Sequence, residues 1–313
     1  MPVEVIKEKW VSRVNEVSLG SSKVVKVGGQ NCLPFMFQDG EIPNSPVIAM
    51  EVLDMEPGEW PDTLKAAFGN SLKDPCEWAK RCVNDFGADL ICLVLESTNP
   101  ETKNASPDKA AETVTKLLKT VNAPLIIVGS GDKQKDNEVL VKCSQAAKGE
   151  NCLLGMAGQD NYKTLTAACI ADGHSIIAES PIDINIAKQV NILITDMGFN
   201  PARIAMHPTS SALGYGMEYV YSIMERGRLA ALTGDKMLAM PFIVFLGSEV
   251  WKVKEAVAGE KDTPEWGDAL MRGPLWEATT AACLLQAGAD ILVMRHPDAV
   301  KNVSSIIRQL TKK

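Results

Sequence analysis

The chain has 313 residues, 46% hydrophobic and 23% charged, enough for one large core and more than the ~250 residues of a bare barrel. A net charge of −7 argues against nucleic acid or an anionic membrane as partner, and no apolar stretch reaches the ~18 residues of a membrane span. The N-terminal stretch MPVEVIKEKWVSR carries charges throughout and no apolar signal core, so a cytoplasmic protein is expected.

Residues 1–44 read as an N-terminal extension. Within it, Lys23–Gly29 (KVVKVGG) looks like a short strand that either plugs a barrel bottom or meets another subunit. From residue 45 to 313 the pattern changes. Eight nearly continuous apolar runs alternate with helical segments: Ser45–Val52, Ala88–Glu96, Pro124–Ser130, Asn151–Ala157, Ser175–Ser180, Arg203–Thr209, Pro241–Gly247 and Asp290–Pro297. Each reads as a strand buried on both faces. Eight strand–helix repeats predict an α/β fold, the (β/α)8 TIM barrel, whose functional face lies at the C-terminal ends of the strands.

The helices between them carry start signals and apolar stripes. Ser106-Pro107 is an N-cap followed by a first-turn proline, and Ala110, Val114, Leu117, Leu118 and Val121 form one face. Met217, Val220, Tyr221 and Met224 form another. Two connections are long: Leu53–Asp74 after the first strand and Ser248–Gly273 after the seventh. They bring Trp60, Trp251 and Trp266 to the C-terminal face, with Trp276 just beyond, and suit a broad apolar ligand or a protein partner.

The ends of the other strands turn polar. Gly129, Ser130, Gly131 and Asp132 follow the third strand, where glycines let backbone amides approach an anion or a polar ligand edge. After the fifth come Ser180, Asp183 and Asn185, which offer either helix caps or hydrogen bonds to an amide-bearing or pterin-like ligand. His207, Thr209, Ser210, Gly214 and Tyr215 follow the sixth, with free amides at a helix start. Arg295 and His296 end the eighth, where Arg295 can pair with an acidic group.

No catalytic set stands out. The predicted strands contain no lysine for a Schiff base, and no Gly-x-Ser-x-Gly elbow occurs. Glu51, Glu96, Glu179, His207 and His296 all end strands and could gather as metal ligands, but barrels often carry this many and the reading is that no metal is held. The eight cysteines form no Cys-x-x-Cys or cluster-ligand spacing and read as buried thiols in a reducing compartment.

Several strings together resemble the small subunit of the corrinoid iron–sulfur protein, a delta-type subunit of acetyl-CoA decarbonylase/synthase. They are Pro46–Val52, Gly149–Ala157, Asn161–Cys169, Glu179–Asn185, Leu213–Arg226, Gly234–Pro241 and Leu275–Pro297, in order along the barrel. The resemblance implies a non-catalytic partner of a large subunit that carries a 4Fe–4S cluster and a cobamide. The barrel would cap this corrinoid while a methyl group passes from methyltetrahydrofolate, through its methyltransferase, to acetyl-CoA synthase in the reductive acetyl-CoA (Wood–Ljungdahl) pathway. The chain lacks the cobalamin Asp-x-His-x-x-Gly motif: Asp172-Gly173-His174 has Ile177 where glycine is required. The expected corrinoid contacts are the strand-end residues above. Competing readings are a pterin-binding methyltransferase using Asp183 and Asn185, a metal-dependent lyase or isomerase, and an interaction subunit without cofactor.

Overall fold

The computed structural model describes residues 6–312. Strands β1 (Glu16–Leu19) and β2 (Val25–Gly28) pair as an antiparallel hairpin. The turn between them needs glycine at residue 20, where φ is +91° and any Cβ would lie 2.1 Å from the Lys23 carbonyl oxygen.

Eight parallel strands then close a barrel: β3 (Val47–Leu53), β4 (Leu90–Val94), β5 (Leu125–Val128), β6 (Leu153–Ala157), β7 (Ser175–Glu179), β8 (Ile204–His207), β9 (Phe242–Val244) and β10 (Ala289–Met294). Each follows its neighbour in order, and β10 pairs with β3 to complete the ring. The expected TIM barrel is therefore the fold, and each strand coincides with one of the apolar runs. The seventh run is cut short. Leu246 and Gly247 begin a short helix, Leu246–Val250, because a continuous apolar run carries no mark of its own end.

The strands alternate two buried faces. Ile48, Met50, Ile91, Leu93 and their counterparts pack outward on the surrounding helices, while Ala49, Leu90, Cys92, Ile126, Leu153, Ile177, Ala205, Ile243 and Ile291 fill the barrel. The hairpin settles which of its two expected places it takes. Val17, Leu19 and Val27 are fully buried against that inner set. The Gly20 amide donates to the Asn151 carbonyl, and Asn151 Nδ2 donates to Ser18 O at 2.7 Å. Since Asn151 precedes β6, the hairpin plugs the bottom of the barrel and leaves the C-terminal ends open.

Outside the sheet, Ser106 Oγ accepts from the Lys109 amide at 3.3 Å ahead of the Pro107–Thr120 helix, as its sequence implied. Val220 and Met224 are the buried part of the second predicted stripe. All eight cysteines are free. Burial pushes the Cys152 and Cys169 thiols up to about 12, which suppresses thiolate chemistry.

Candidate functional site

Period-two alternation sets the top inward layer of the barrel. Two residues beyond the inner set stand Glu51, Val94, Val128, Glu179, His207 and Phe245, and Arg295, four beyond Ile291, is level with Glu51 because Val293 pairs with Ala49. Glu51 and Arg295 meet across adjacent strands β3 and β10. Arg295 Nη2 and Nε donate to Glu51 Oε1 at 2.6 and 2.8 Å. The guanidinium also lies 4.8 Å over the ring of Trp60. The two side chains are 12% and 3% exposed, so this ion pair closes one side of the mouth from within.

Behind Arg295 sits Glu277, fully buried in the Ala269–Ala287 helix. It accepts from the Arg295 amide at 2.5 Å, the His296 amide at 3.1 Å and Trp251 Nε1 at 2.8 Å. Burial nonetheless dominates these three donors and raises its carboxyl to about 7. His296 stacks on Trp251, ring centroids 5.6 Å apart, and its Nδ1 accepts from the Asp298 amide at 3.1 Å to cap the Pro297–Leu310 helix.

His207 and Glu179 stand paired on β8 and β7, across the mouth from Glu51. Burial pushes His207 down to about 4, so it is neutral at pH 7. Its Nδ1 lies 3.2 Å from the Ile243 carbonyl, which assigns the ring proton to Nδ1. The ring meets Phe245 edge-on at 4.9 Å. Burial also raises the Glu179 carboxyl, with Lys133 partly opposing it.

The remaining predicted residues are mostly engaged by the chain itself. Asp136 takes the amides of Ser130 and Gly131 at 2.8 and 3.0 Å, so an internal carboxylate fills the nest that the glycines prepare. Gly129 packs directly on that carboxylate, while Gly131, at φ +94°, opens to solvent with nothing near its Cβ direction. Asp132 caps the Lys133–Ala146 helix through the Lys135 amide at 2.8 Å. Asp183 caps the Ile184–Asp196 helix through the amides of Asn185 and Ile186. Asn185 turns to the barrel flank, where it lines a groove of about 400 Å³ with Lys188, Arg226 and Asp235.

Ser180 donates its amide to the His207 carbonyl, and its own carbonyl accepts from Thr209 Oγ1 at 2.7 Å. Its hydroxyl is buried without a partner. Ser210 Oγ accepts the Phe245 amide at 2.7 Å. Gly214 is open, meeting only Trp276 at 3.8 Å, and the neighbouring Tyr215 is exposed with its hydroxyl donating to Glu255 at 2.7 Å. Thus the structure brings His207 and Arg295 into the mouth, presents Gly131, Gly214 and Tyr215 on the face, and spends Asp132, Asp183 and Ser210 on capping and bracing. The candidate metal ligands do not gather: among the described residues no three His, Cys, Asp or Glu are placed to hold an ion. Glu51 is committed to Arg295, and β3 and β7 lie on opposite sides of the ring.

The two long connections are more folded than their aromatic content suggests. Trp60 is buried with Phe68 and Trp78, ring centroids 6.1 and 5.2 Å away, and Trp251 is buried on Glu277. In the second connection Trp266 alone of the tryptophans is exposed, at 40%. Arg272 holds that connection. Its guanidinium donates to Ala258 O, Thr263 O, Thr263 Oγ1, Trp266 O and Gly267 O while staying buried. Sequence reasoning missed Asp136, Arg272 and Glu277 as organising residues. The available signal was a charge inside an otherwise apolar helical stretch, visible for Glu277 in Leu275–Ala281 and weak for the other two.

Residues 16–308 match the family model CdhD, described as CO dehydrogenase/acetyl-CoA synthase delta subunit. The chain belongs to this delta-subunit family. A relative named acetyl-CoA decarbonylase/synthase complex subunit delta from Methanocaldococcus jannaschii is 38% identical, over 98% of this chain and 76% of its own length. The subunit of the same name from Archaeoglobus fulgidus is 35% identical, over 98% and 70%. Among solved structures, dihydropteroate synthase from Xanthomonas albilineans shares the fold with a TM-score of 0.57 at 13% identity, covering 87% of this chain and 95% of that one. The enzyme of that name from Coxiella burnetii gives 0.56 at 12%, covering 89% and 97%. These two likenesses establish that the delta-subunit chain is a TIM barrel of the same architecture. No helix among the described residues is long and apolar enough to cross a membrane.

Proposed function

We propose that this chain is the barrel subunit of a corrinoid iron–sulfur methyl carrier, and that its C-terminal face caps the cobamide held by a large subunit. Family membership makes it a subunit of the acetyl-CoA decarbonylase/synthase type. The observation that carries the finer reading is the mouth itself, one side of which is closed from within by the Arg295–Glu51 pair packed on Trp60. The interior of an eight-stranded barrel is only wide enough for its own side chains. A corrin macrocycle must therefore meet this protein on the face and not inside it.

The face fits such a group in part. Gly131 and Gly214 leave space for a ring edge beside exposed backbone, and Tyr215 and Thr209 border the same face. Ser130, Asp132, Asp183 and Ser210 fit less well, since their polar groups already serve the chain. When bound, the corrinoid supplies the cobalt that takes up and releases the methyl group. This chain's residues exclude water: Trp60, Phe245, Val94 and Val128 present carbon to the mouth, and neutral His207 adds no charge there.

The 4Fe–4S cluster is assigned to the large subunit, with methyltetrahydrofolate methyltransferase and acetyl-CoA synthase as the successive partners. The test is co-expression with the large subunit and size-exclusion chromatography read by corrinoid absorbance. Co-elution in a one-to-one complex that retains more corrinoid than the large subunit alone is the expected result. A chain that ignores the large subunit but binds methyltetrahydrofolate by itself would replace this reading with the pterin-binding methyltransferase.

A further inference from the structure

The exposed large apolar side chains of the C-terminal face are concentrated in one sector, with Ile182 (39%) after β7 as its outlier. Tyr215, Tyr219, Trp266, Leu270, Met271 and Leu275 all lie on the connections and first two helical turns that follow β8 and β9, with Tyr219, Leu270 and Leu275 at 62%, 60% and 52% exposure. No large hydrophobic residue is comparably exposed on the connections directly after β3, β4, β5 or β6, among the described residues. The six border the same two helix starts and are taken together as one ridge. Tyr215 is tied to Glu255, Trp266 lies 5.6 Å beneath the adjacent Lys254, and Trp276 Nε1 donates to Leu213 O at 3.1 Å, joining the two helix starts. Arg272 and Glu277 hold the ridge in place from below.

Its rim is acidic on balance. Glu218, Glu260, Asp262, Glu265 and Asp268 are exposed around it against one exposed lysine outside the ion pairs, Lys261, whereas Lys252 is paired with Glu249 at 2.9 Å and Lys254 covers Trp266. A second copy of this chain in an isologous contact would set these carboxylates against each other. We propose that this ridge is the docking surface for the large subunit, through an apolar patch rimmed by lysine or arginine. The inference rests on the function proposed above and locates the partner on one sector of the face, leaving the sector after β3 to β6 uncovered.

The test uses the reconstituted two-subunit complex. Leu270→Glu with Leu275→Glu replaces two exposed side chains, so the isolated chain keeps its circular dichroism and melting profile. The double variant is expected to bind the large subunit at least about 30-fold more weakly. Ile170→Glu, equally solvent-exposed on another part of the surface, is expected to change affinity less than about twofold. Glu260→Lys with Glu265→Lys lowers the association rate and flattens its salt dependence. Wild-type affinity in the Leu270/Leu275 double variant overturns the docking surface alone. Failure of the wild-type chain to bind the large subunit overturns the proposed function and this partner with it. Self-association of the wild-type chain that the double variant abolishes assigns the ridge to a second copy and refutes the inference.

Discussion

Two buried titratable groups should give this protein opposing pH dependences that mask each other. Glu277 has its carboxyl raised from 4.5 to about 7 by burial. Between those values the folded chain binds the proton more tightly than the unfolded one, so this group's contribution to stability falls as pH rises and its cost is complete above about 7. His207 is lowered from 6.5 to about 4. Here the unfolded chain binds the proton more tightly, so stability is lost as pH falls through the interval from 6.5 to 4. Each shift corresponds to about 3 kcal/mol, of opposite slope over nearly the same range. Urea unfolding of the wild type and of Glu277→Gln, followed across that range, isolates the first. The stability of the wild type relative to the variant should drop by about 3 kcal/mol from pH 4.5 to 7 and then level off. His207→Leu isolates the second, with a pH-independent offset of ~1–3 kcal/mol for the Ile243 carbonyl that loses its donor. A flat difference profile for Glu277→Gln would show that its three N–H donors outweigh burial, and the reasoning would fail.

Other perturbations test the organisation of the face. Arg272→Met deprives the 258–267 connection of its guanidinium; at ~1 kcal/mol for each stranded acceptor, limited by rehydration as the segment swings out, the local loss is about 2–4 kcal/mol. Amide exchange in that segment should rise by roughly 30- to 1,000-fold while the barrel strands keep their protection; unchanged exchange refutes the staple. Arg295→Met alone should destabilise by ~3–5 kcal/mol by leaving Glu51 buried without its partner, and adding Glu51→Gln should recover most of that in thermal unfolding. Gly129→Ala and Gly131→Ala should separate: the first drives a Cβ to 2.2 Å from Asp136 and costs at least about 2 kcal/mol, the second costs only ~1 kcal/mol of left-handed backbone strain.

The barrel was legible because its strands are buried on both faces, which leaves eight apolar runs that no surface element would tolerate. The hairpin was half legible. Lys23–Gly29 reads as a strand, but its partner Glu16–Leu19 has only four residues, too short a span for alternation to register. The site was harder for a chemical reason. Serine, aspartate and asparagine at a strand end satisfy free helix amides by the same hydrogen bonds with which they would hold a ligand. Sequence alone cannot separate the uses, and the structure assigns Asp132, Asp183 and Ser210 to the chain itself. Arg295 and His207 were legible because a charged or titratable residue continuing the inward phase of a buried strand has nowhere to point but the mouth.

What the sequence concealed most completely is that one helix organises the whole face. From Ala269–Ala287, Arg272 reaches forward to hold the second connection, and Glu277, five residues on, reaches across to the backbone of Arg295 and His296. Trp276 and Thr280 of the same helix bind the carbonyl and amide of Leu213, fixing the turn that carries Gly214 and Tyr215. The ridge and the Arg295–Glu51 pair are thereby braced on a common support, and neither can shift far without straining buried charge. Closing and opening such a mouth would have to proceed by movement of a partner over a rigid face, since Trp60 and Trp251 are already locked into cores of their own. The contrast in exchange behaviour between Arg272→Met and the wild type therefore also measures how much of the mouth's order depends on its outer support: loss of protection that spreads from 258–267 to the Arg295 amide would show that Glu277 and Arg272 act as one brace, and loss confined to 258–267 would show two independent ones.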